Sequence, residues 1–509
     1  MSPIQKAQGM LCSPLIFIEV CLSVDMTYGY TRRGRTFIDI LDDDSLLNIF
    51  HHCRPVLLLE RCDADDSVVR DFVVLAGGVW EQERWWYNLV QVCRRWRHLI
   101  LASPSYLGLS LLCMPGTPVA DMLAHSPPFP LTIDHLLTNT DADIATEDEE
   151  GILLALERRD RVRRIRLRMP VLTLKRLIKA IDKEFPMLEY LYLYTTPQTV
   201  PDPGLSLPLT LRAPRLRHLV VFNFPIPIGS PLLSGLVTLS LDRIPLSSNL
   251  DLTDLLQRLS LMPELEILRI GFYSPHSDQD VEWQLLHTSL STQVTLPNLR
   301  WFGFGNPITT MEAVLPLINM PLLEVTELMS YNYHTFSILF ILQLMSKTEK
   351  PRFRSVRVTF SDRYIVVTMY PRERSATRTL RIRIFRVHPD WAVAATMQIS
   401  DGIKAAFSEV ELLILENETS LEWYKELTDR TQWRKLLGSF SNVGTLHVSG
   451  GRIEELAHAL RPDDGESPIE LLPELRVLSY SMGSYVGESC RSFLAIRRNA
   501  GRPVTLVHC

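Results

Sequence analysis

The chain has 509 residues, is 46% hydrophobic and 22% charged, and carries a formal net charge of −5. That length holds about two to four domains, and the acidic balance argues against a dedicated nucleic-acid binder. Eight scattered cysteines without a CxxC pair form no disulfide framework and match the usage of a reducing compartment.

Residues 1–35 read as a poorly ordered N-terminal extension. The apolar run 11–24 contains Pro14 and Glu19 and is too short to span a bilayer. No other segment approaches that length, so the expectation is a cytoplasmic or nuclear protein with no membrane partner.

Residues 36–113 read as a small helical module. In its first helix Leu46, Ile49, Phe50 and Cys53 recur at i, i+3, i+4 and i+7, one apolar face. Asp42, Asp43 and Asp44 stand where carboxylates favour a helix start. In the second, Trp85, Leu89, Val92, Cys93, Trp96, Leu99 and Ile100 share one stripe, with Arg94, Arg95 and Arg97 off it. The stripes predict that Leu46, Ile49 and Phe50 pack against Val92, Cys93 and Trp96, with the start of the first helix left for a partner. Residues 54–84 form an insertion, whose Asp- and Arg-rich part, 61–71, is expected to be a mobile loop. Residues 114–150 read as a linker and first cap of the next domain, and the acidic stretch Asp141 to Glu150 as an exposed linker.

From 151 to 509 one phrase returns: an apolar residue or Pro, then Leu-x-x-Leu-x-Leu. Examples are Pro186-Met187-Leu188-Glu189-Tyr190-Leu191-Tyr192-Leu193, Pro263-Glu264-Leu265-Glu266-Ile267-Leu268-Arg269-Ile270 and Pro473-Glu474-Leu475-Arg476-Val477-Leu478. Weaker copies begin at Pro321 and Phe353. Helical patterns such as Leu172 to Phe185 and Leu252 to Met262 lie between copies. The segments Tyr364 to Tyr370 and Leu380 to Ile384 read as a β-hairpin insertion.

Alternation puts the repeated leucines inward and the residues between them on a second face. That face is nominated as a partner-binding surface, with Arg164, Arg166 and Arg168 beside Tyr190, Tyr192 and Tyr194, then His218, Arg269 and Trp301. Arg and Tyr are both enriched at binding hot spots, and the charge predicts an acidic or phosphorylated partner segment. The alternative for the same residues is a solvated strand face, with arginine stems over tyrosine rings. Seven arginines lie within 158–168, but the acidic residues upstream point to local neutralisation rather than nucleic acid. There is no phosphate loop, metalloprotease helix or nucleophile elbow. His51-His52-Cys53 lacks further ligands for a metal. Neither catalysis nor a cofactor is expected.

The two helical patterns resemble an F-box. Leu41, Asp44, Leu46, Ile49 and Phe50, then Val92, Cys93, Trp96, Arg97 and Leu99, match its two halves. Asp42 stands at the family's proline, Cys53 at its last leucine, and the insertion is longer than usual. The insertion, Trp85-Trp86-Tyr87 and Thr117-Pro118-Val119-Ala120-Asp121 look like a fungal, basidiomycete-type branch. The strand–helix phrase resembles a leucine-rich repeat. The expected fold is α+β or α/β, a small F-box-like helical module followed by an irregular leucine-rich-repeat-like solenoid. The resemblance implies a non-catalytic substrate receptor of an SCF-type cullin–RING ubiquitin ligase. Its helices, through Leu41, Asp44, Leu46, Ile49, Phe50, Val92 and Trp96, would dock a Skp-type adaptor and through it a cullin scaffold. The solenoid would hold a protein substrate. The alternative is an interaction scaffold of the same build that acts outside a ubiquitin ligase.

Overall fold

A computed structural model describes residues 41–53, 85–136, 144–195, 211–222, 231–245, 252–273, 293–305, 315–330, 353–361, 364–371, 379–385, 409–417, 430–449, 453–462, 470–481 and 486–508, with a few single positions. The extension 1–35, the whole insertion 54–84 with its expected mobile loop 61–71, and the proposed linker positions 137–143 lie outside the described residues. The fold mixes helices with a large, mostly parallel sheet. Two units are compact in themselves, one of Met1–Leu136 with Ala145–Arg163, the other of Leu137–Ile144 with Arg164–Cys509. No described helix is long and apolar enough to cross a membrane.

The first unit opens with α1 (Asp43–Cys53). Asp42 caps it, its Oδ1 accepting the Ser45 N–H at 2.7 Å, as short polar side chains do at a helix start. That bond holds the Asp42 carboxyl below its ordinary value. The continuous helix expected over 85–100 is two helices, α2 (Trp85–Val92) and α3 (Arg94–Ala102). Cys93 is extended at φ −156° and caps α3, its Sγ accepting the Trp96 N–H at 3.4 Å. Arg97 Nε bonds the Val90 carbonyl at 3.0 Å, satisfying an acceptor that the break frees. A single turn, α4 (Pro104–Leu107), ends at Gly108 with φ 63°, where a left-handed backbone favours glycine.

Strands β1 (Leu111–Cys113) and β2 (Leu131–Leu136) pair in parallel, with α5 (Val119–His125) between them. The acidic run Glu147 to Glu150 is not a linker. It opens α6 (Thr146–Glu157), where carboxylates complement the helix dipole, and Asp148 Oδ1 accepts the Gly116 N–H at 2.7 Å. Ile152, Ala155 and Leu156 bury the inner face of α6.

The second unit is a continuous sheet. Its strands are β3 (Val162–Met169), β4 (Tyr190–Thr195), β5 (His218–Phe222), β6 (Thr238–Pro245), β7 (Ile267–Tyr273), β9 (Trp301–Gly305), β11 (Val325–Ser330), β12 (Phe353–Phe360), β13 (Tyr364–Pro371), β14 (Thr379–Phe385), β15 (Leu412–Asn417), β16 (Thr445–Val448), β17 (Val477–Tyr480) and β18 (Thr505–His508). Short β8 (Val294–Thr295) and β10 (Ile318–Asn319) pair separately. The described helices of this unit are α7 (Val171–Ile181), α8 (Leu252–Leu259), α9 (Arg430–Leu437), α10 (Ile453–Leu460) and α11 (Glu488–Asn499).

One turn recurs before the strands. In Phe185-Pro186-Met187-Leu188 the Leu188 N–H bonds the Phe185 carbonyl, and the same bond closes the turns Ala213 to Leu216, Met262 to Leu265, Leu296 to Leu299, Met320 to Leu323 and Leu472 to Leu475. Proline holds the second position each time, where its fixed φ presets a β-turn. Both apolar ends of each turn are buried. The residue that follows begins the ladder, as in Arg300 N–H to Glu266 O and Glu324 N–H to Arg300 O. The apolar side chains then stack in register: Ile165, Leu191, Leu219, Leu239, Leu268 and Phe302 lie on neighbouring strands, all buried. On α7, Val171, Leu174, Leu177, Ile178 and Ile181 supply the helix layer's buried stripe.

The hairpin expected over 364–384 is present, and it lies inside the sheet rather than beside it. The order runs β11-β14-β13-β12-β15. β13 is antiparallel to both neighbours, while β14 is parallel to β11 and β12 is parallel to β15. Strands β14, β13 and β12 thus stand in reverse chain order between β11 and β15, and the parallel series resumes at β15.

Candidate functional site

The register assigns the second face of the sheet residue by residue. Arg166, Tyr192, Val220, Ser240, Arg269, Gly303, Glu327, Arg381, Thr368, Arg357, Ile414, His447 and Ser479 form one row across successive strands. Arg164 and Tyr190 flank the row on one side, and Arg168, Tyr194, Phe222 and Arg383 on the other. The nominated residues therefore do share a face.

Their exposure differs from expectation. Arg166, Tyr190, Tyr192, Arg269 and Trp301 are buried, and only Arg164, Arg168, Tyr194 and His218 keep partial exposure. Large neighbours on closely spaced strands cover one another. Arg168 lies 4.8 Å over the Tyr194 ring, and Tyr194 stacks on Phe222 at 4.3 Å. His218 Nδ1 is 3.1 Å from the Thr238 hydroxyl, and burial, aided by Arg164, pushes its pKa down to about 4. Burial likewise pushes the Tyr192 phenol upward.

The centre of this face holds a charge cluster whose carboxylates and hairpin arginines the sequence reading passed over. Arg269 pairs with Asp242 at 2.8 Å and Arg383 with Glu327 at 3.2 Å, all four groups buried. Arg357 lies 3.7 Å from Glu416 and 5.9 Å from the Tyr370 ring centroid. Burial alone would raise the Glu327 pKa, but Arg383, Arg269 and Arg381 together hold it below the ordinary carboxylate value. The signal was available in Leu380-Arg381-Ile382-Arg383-Ile384, an alternation that puts both arginines on one face. Among the described residues of this face stand seven arginines (164, 166, 168, 269, 357, 381, 383) and three carboxylates (Asp242, Glu327, Glu416). The face is thus cationic in a chain of net charge −5.

In the helical part of the first unit, Leu46 and Phe50 are buried and Phe50 meets the half-buried Trp96 edge to face at 4.8 Å. The wider packing predicted there is corrected. Ile49 is 36% and Val92 56% exposed, and Cys93 is exposed at the helix break. Trp86, not Trp85, fills the core, set against Phe129 at 6.0 Å. Asp44 is exposed and Leu41 half-buried. The helix start is engaged from within, since Arg95 Nη2 donates to the Leu41 carbonyl and to Asp43 Oδ1, each at 2.6 Å.

Among the described residues no three His, Cys, Asp or Glu side chains gather as a metal site. A polar cleft at the starts of β16 and β17 is lined by Glu409, Glu411, Asn442, Thr445, Glu474 and Arg476. The chain matches no known protein-family model and no curated protein.

Proposed function

We propose that this chain is a non-catalytic substrate receptor of an SCF-type cullin–RING ubiquitin ligase. Its F-box-like helices dock a Skp-type adaptor, and its leucine-rich-repeat-like solenoid holds a protein substrate. The observation that carries the reading is the pair of exposed apolar side chains in the helical module, Ile49 at 36% and Val92 at 56%. Both lie at positions of the F-box-like pattern, and neither is needed by the core that Leu46, Phe50 and Trp86 fill. The parallel strand repeat supports the second half of the reading, because stacked units of this kind present one continuous surface to a partner. Ligase chemistry resides on other subunits. A receptor acts by proximity and needs no reactive residue.

The test is capture of a Skp-type adaptor by the full chain, compared with Ile49→Asp/Val92→Asp. Capture by the parent chain and its loss in a folded double variant support the reading. Equal capture by both removes these residues from the interface. One observation favours the second reading, a scaffold outside any ligase: Arg95 holds both Leu41 and Asp43, the helix start expected to meet an adaptor. Copurification of other proteins without adaptor marks that outcome.

A further inference from the structure

We propose that β18 is a self-association edge, covered by a second copy of this chain through antiparallel strand pairing. The inference goes beyond the receptor reading and does not depend on it.

β18 stands at one end of the sheet order, and among the described residues it pairs with β17 alone. The Thr505 N–H donates to the Arg476 carbonyl at 2.8 Å. Backbone alternation then aims the N–H and C=O of Leu506 at the open edge. Such an edge is a template for another strand, and folds blunt it with charge, proline or a bulge. Residues 504–508, Val-Thr-Leu-Val-His, hold no Lys, Arg, Asp, Glu or Pro, and the register with β17 runs without a shift. The apolar ladder is also left open. Leu506 is in register with Leu478, Leu446 and Leu413, which are buried, yet it is itself only half-buried. Val507, on the opposite face, is 38% exposed.

Charge complementarity selects a second copy as the occupant. α11 runs back between the parallel strands β17 and β18. It presents Glu488, Arg491, Ala495 and Arg498 to solvent, a spacing that sets them along one stripe. Glu488 lies in its first turn and Arg498 in its last. A two-fold axis through Leu506 pairs that residue with the partner's Leu506, so each donates its outward N–H to the other's carbonyl and the leucine ladder continues across the join. The same axis sets the two α11 helices antiparallel on one side of the sheet. Glu488 then meets the partner's Arg498, and the symmetry repeats that pair.

The test is the mass of the full chain by sedimentation at concentrations up to about 100 μM, the range of a weak specific contact. The expected parent species is a dimer that dissociates on dilution. Leu506→Pro removes an outward donor without breaking a bond to β17, and an edge strand tolerates proline, so this variant should stay monomeric. Glu488→Arg and Arg498→Glu should each weaken dimerisation about three- to tenfold. The double variant Glu488→Arg/Arg498→Glu, which exchanges the two signs, should restore it. That rescue requires the two residues to meet across a self-interface. A parent that stays monomeric throughout the range overturns the proposal and leaves the edge to a strand of another protein. A dimer equally strong in Leu506→Pro overturns it too, by placing the contact elsewhere. Single charge variants as strong as the parent, or no rescue in the exchange, likewise overturn it, and they decide alone if Leu506→Pro does not fold.

Discussion

Trp301 lies across Gly303 on the same strand. A Cβ built at Gly303 would sit 2.6 Å from the indole Cη2 and 2.8 Å from Cζ3, with Arg269 Cγ at 3.2 Å. The glycine is there because the indole occupies the space where its side chain would stand. Its strand neighbours are Arg269 and Glu327, so the ring roofs the charge cluster from one side.

Gly303→Ala should therefore destabilise the chain by about 1–3 kcal/mol, the usual cost of overpacking a closed site. The cost should shrink in a Trp301→Leu background, where the obstructing ring is gone. A double-mutant cycle read by urea denaturation checks this. Additive effects would mean that the two side chains do not meet.

Phe50 is buried and Trp96 half-buried at their edge-to-face contact. Phe50→Ala should cost about 3–5 kcal/mol, as large buried aromatics do. Trp96→Ala should cost less, roughly 1–3 kcal/mol, because part of its ring already faces water. Denaturant midpoints of the two variants give the order, and a larger loss at Trp96 would contradict it.

His135 is buried, neither ring nitrogen has a hydrogen-bond partner, and burial pushes its pKa from 6.5 to about 4, opposed weakly by Asp148. The fold holds the neutral ring, while the unfolded chain takes up a proton near the ordinary value. The unfolded state thus binds more protons between pH 6.5 and 4, and stability falls as pH drops through that window. The loss is up to about 3 kcal/mol for His135, at 1.36 kcal/mol per unit. It is smaller for His218, which is partly exposed and shifted the same way. His135→Leu should flatten the slope between pH 6.5 and 4 and leave stability at pH 8 little changed. An unchanged slope would show that His135 is not the titrating group.

Arg497 is fully buried and donates from Nη2 to the carbonyls of Leu472 at 3.3 Å, Pro473 at 3.3 Å and Leu475 at 3.1 Å. It thereby fastens the last proline turn, where Leu472 takes the unusual φ of 49°. Arg497→Met should lose about 2–4 kcal/mol, since buried carbonyls left unpaired cost about 1–3 kcal/mol each and relief of the buried charge recovers part. Thermal unfolding of the variant reads this directly, and a stabilised variant would mean that the buried charge dominates.

Much of the strand layer was legible because its signal is local. Leu-x-x-Leu-x-Leu gives the inward ladder, the preceding proline sets the turn, and strict alternation put Arg164, Arg166 and Arg168 beside Tyr190, Tyr192 and Tyr194. Burial of that second face was not legible, because it depends on how large side chains on adjacent strands cover one another. The Asp242–Arg269 and Glu327–Arg383 pairs join residues 27 and 56 positions apart, and only the register brings them together. The hairpin was readable from two β-branched runs, but not its place within the sheet. In the helices, the apolar stripe of residues 85–100 runs through Cys93 unbroken. The break there comes from an extended backbone and a thiol cap, neither of which periodicity reports.

The central claim is that the helical module docks a Skp-type adaptor. The direct measurement is the dissociation constant between the purified full chain and such an adaptor, determined for the parent and for Ile49→Asp/Val92→Asp. Burying a charge at an apolar interface costs several kcal/mol, so the account predicts saturable binding by the parent and at least about a hundredfold weaker binding by the folded double variant. No binding by the parent chain, or equal affinity in both, would contradict it.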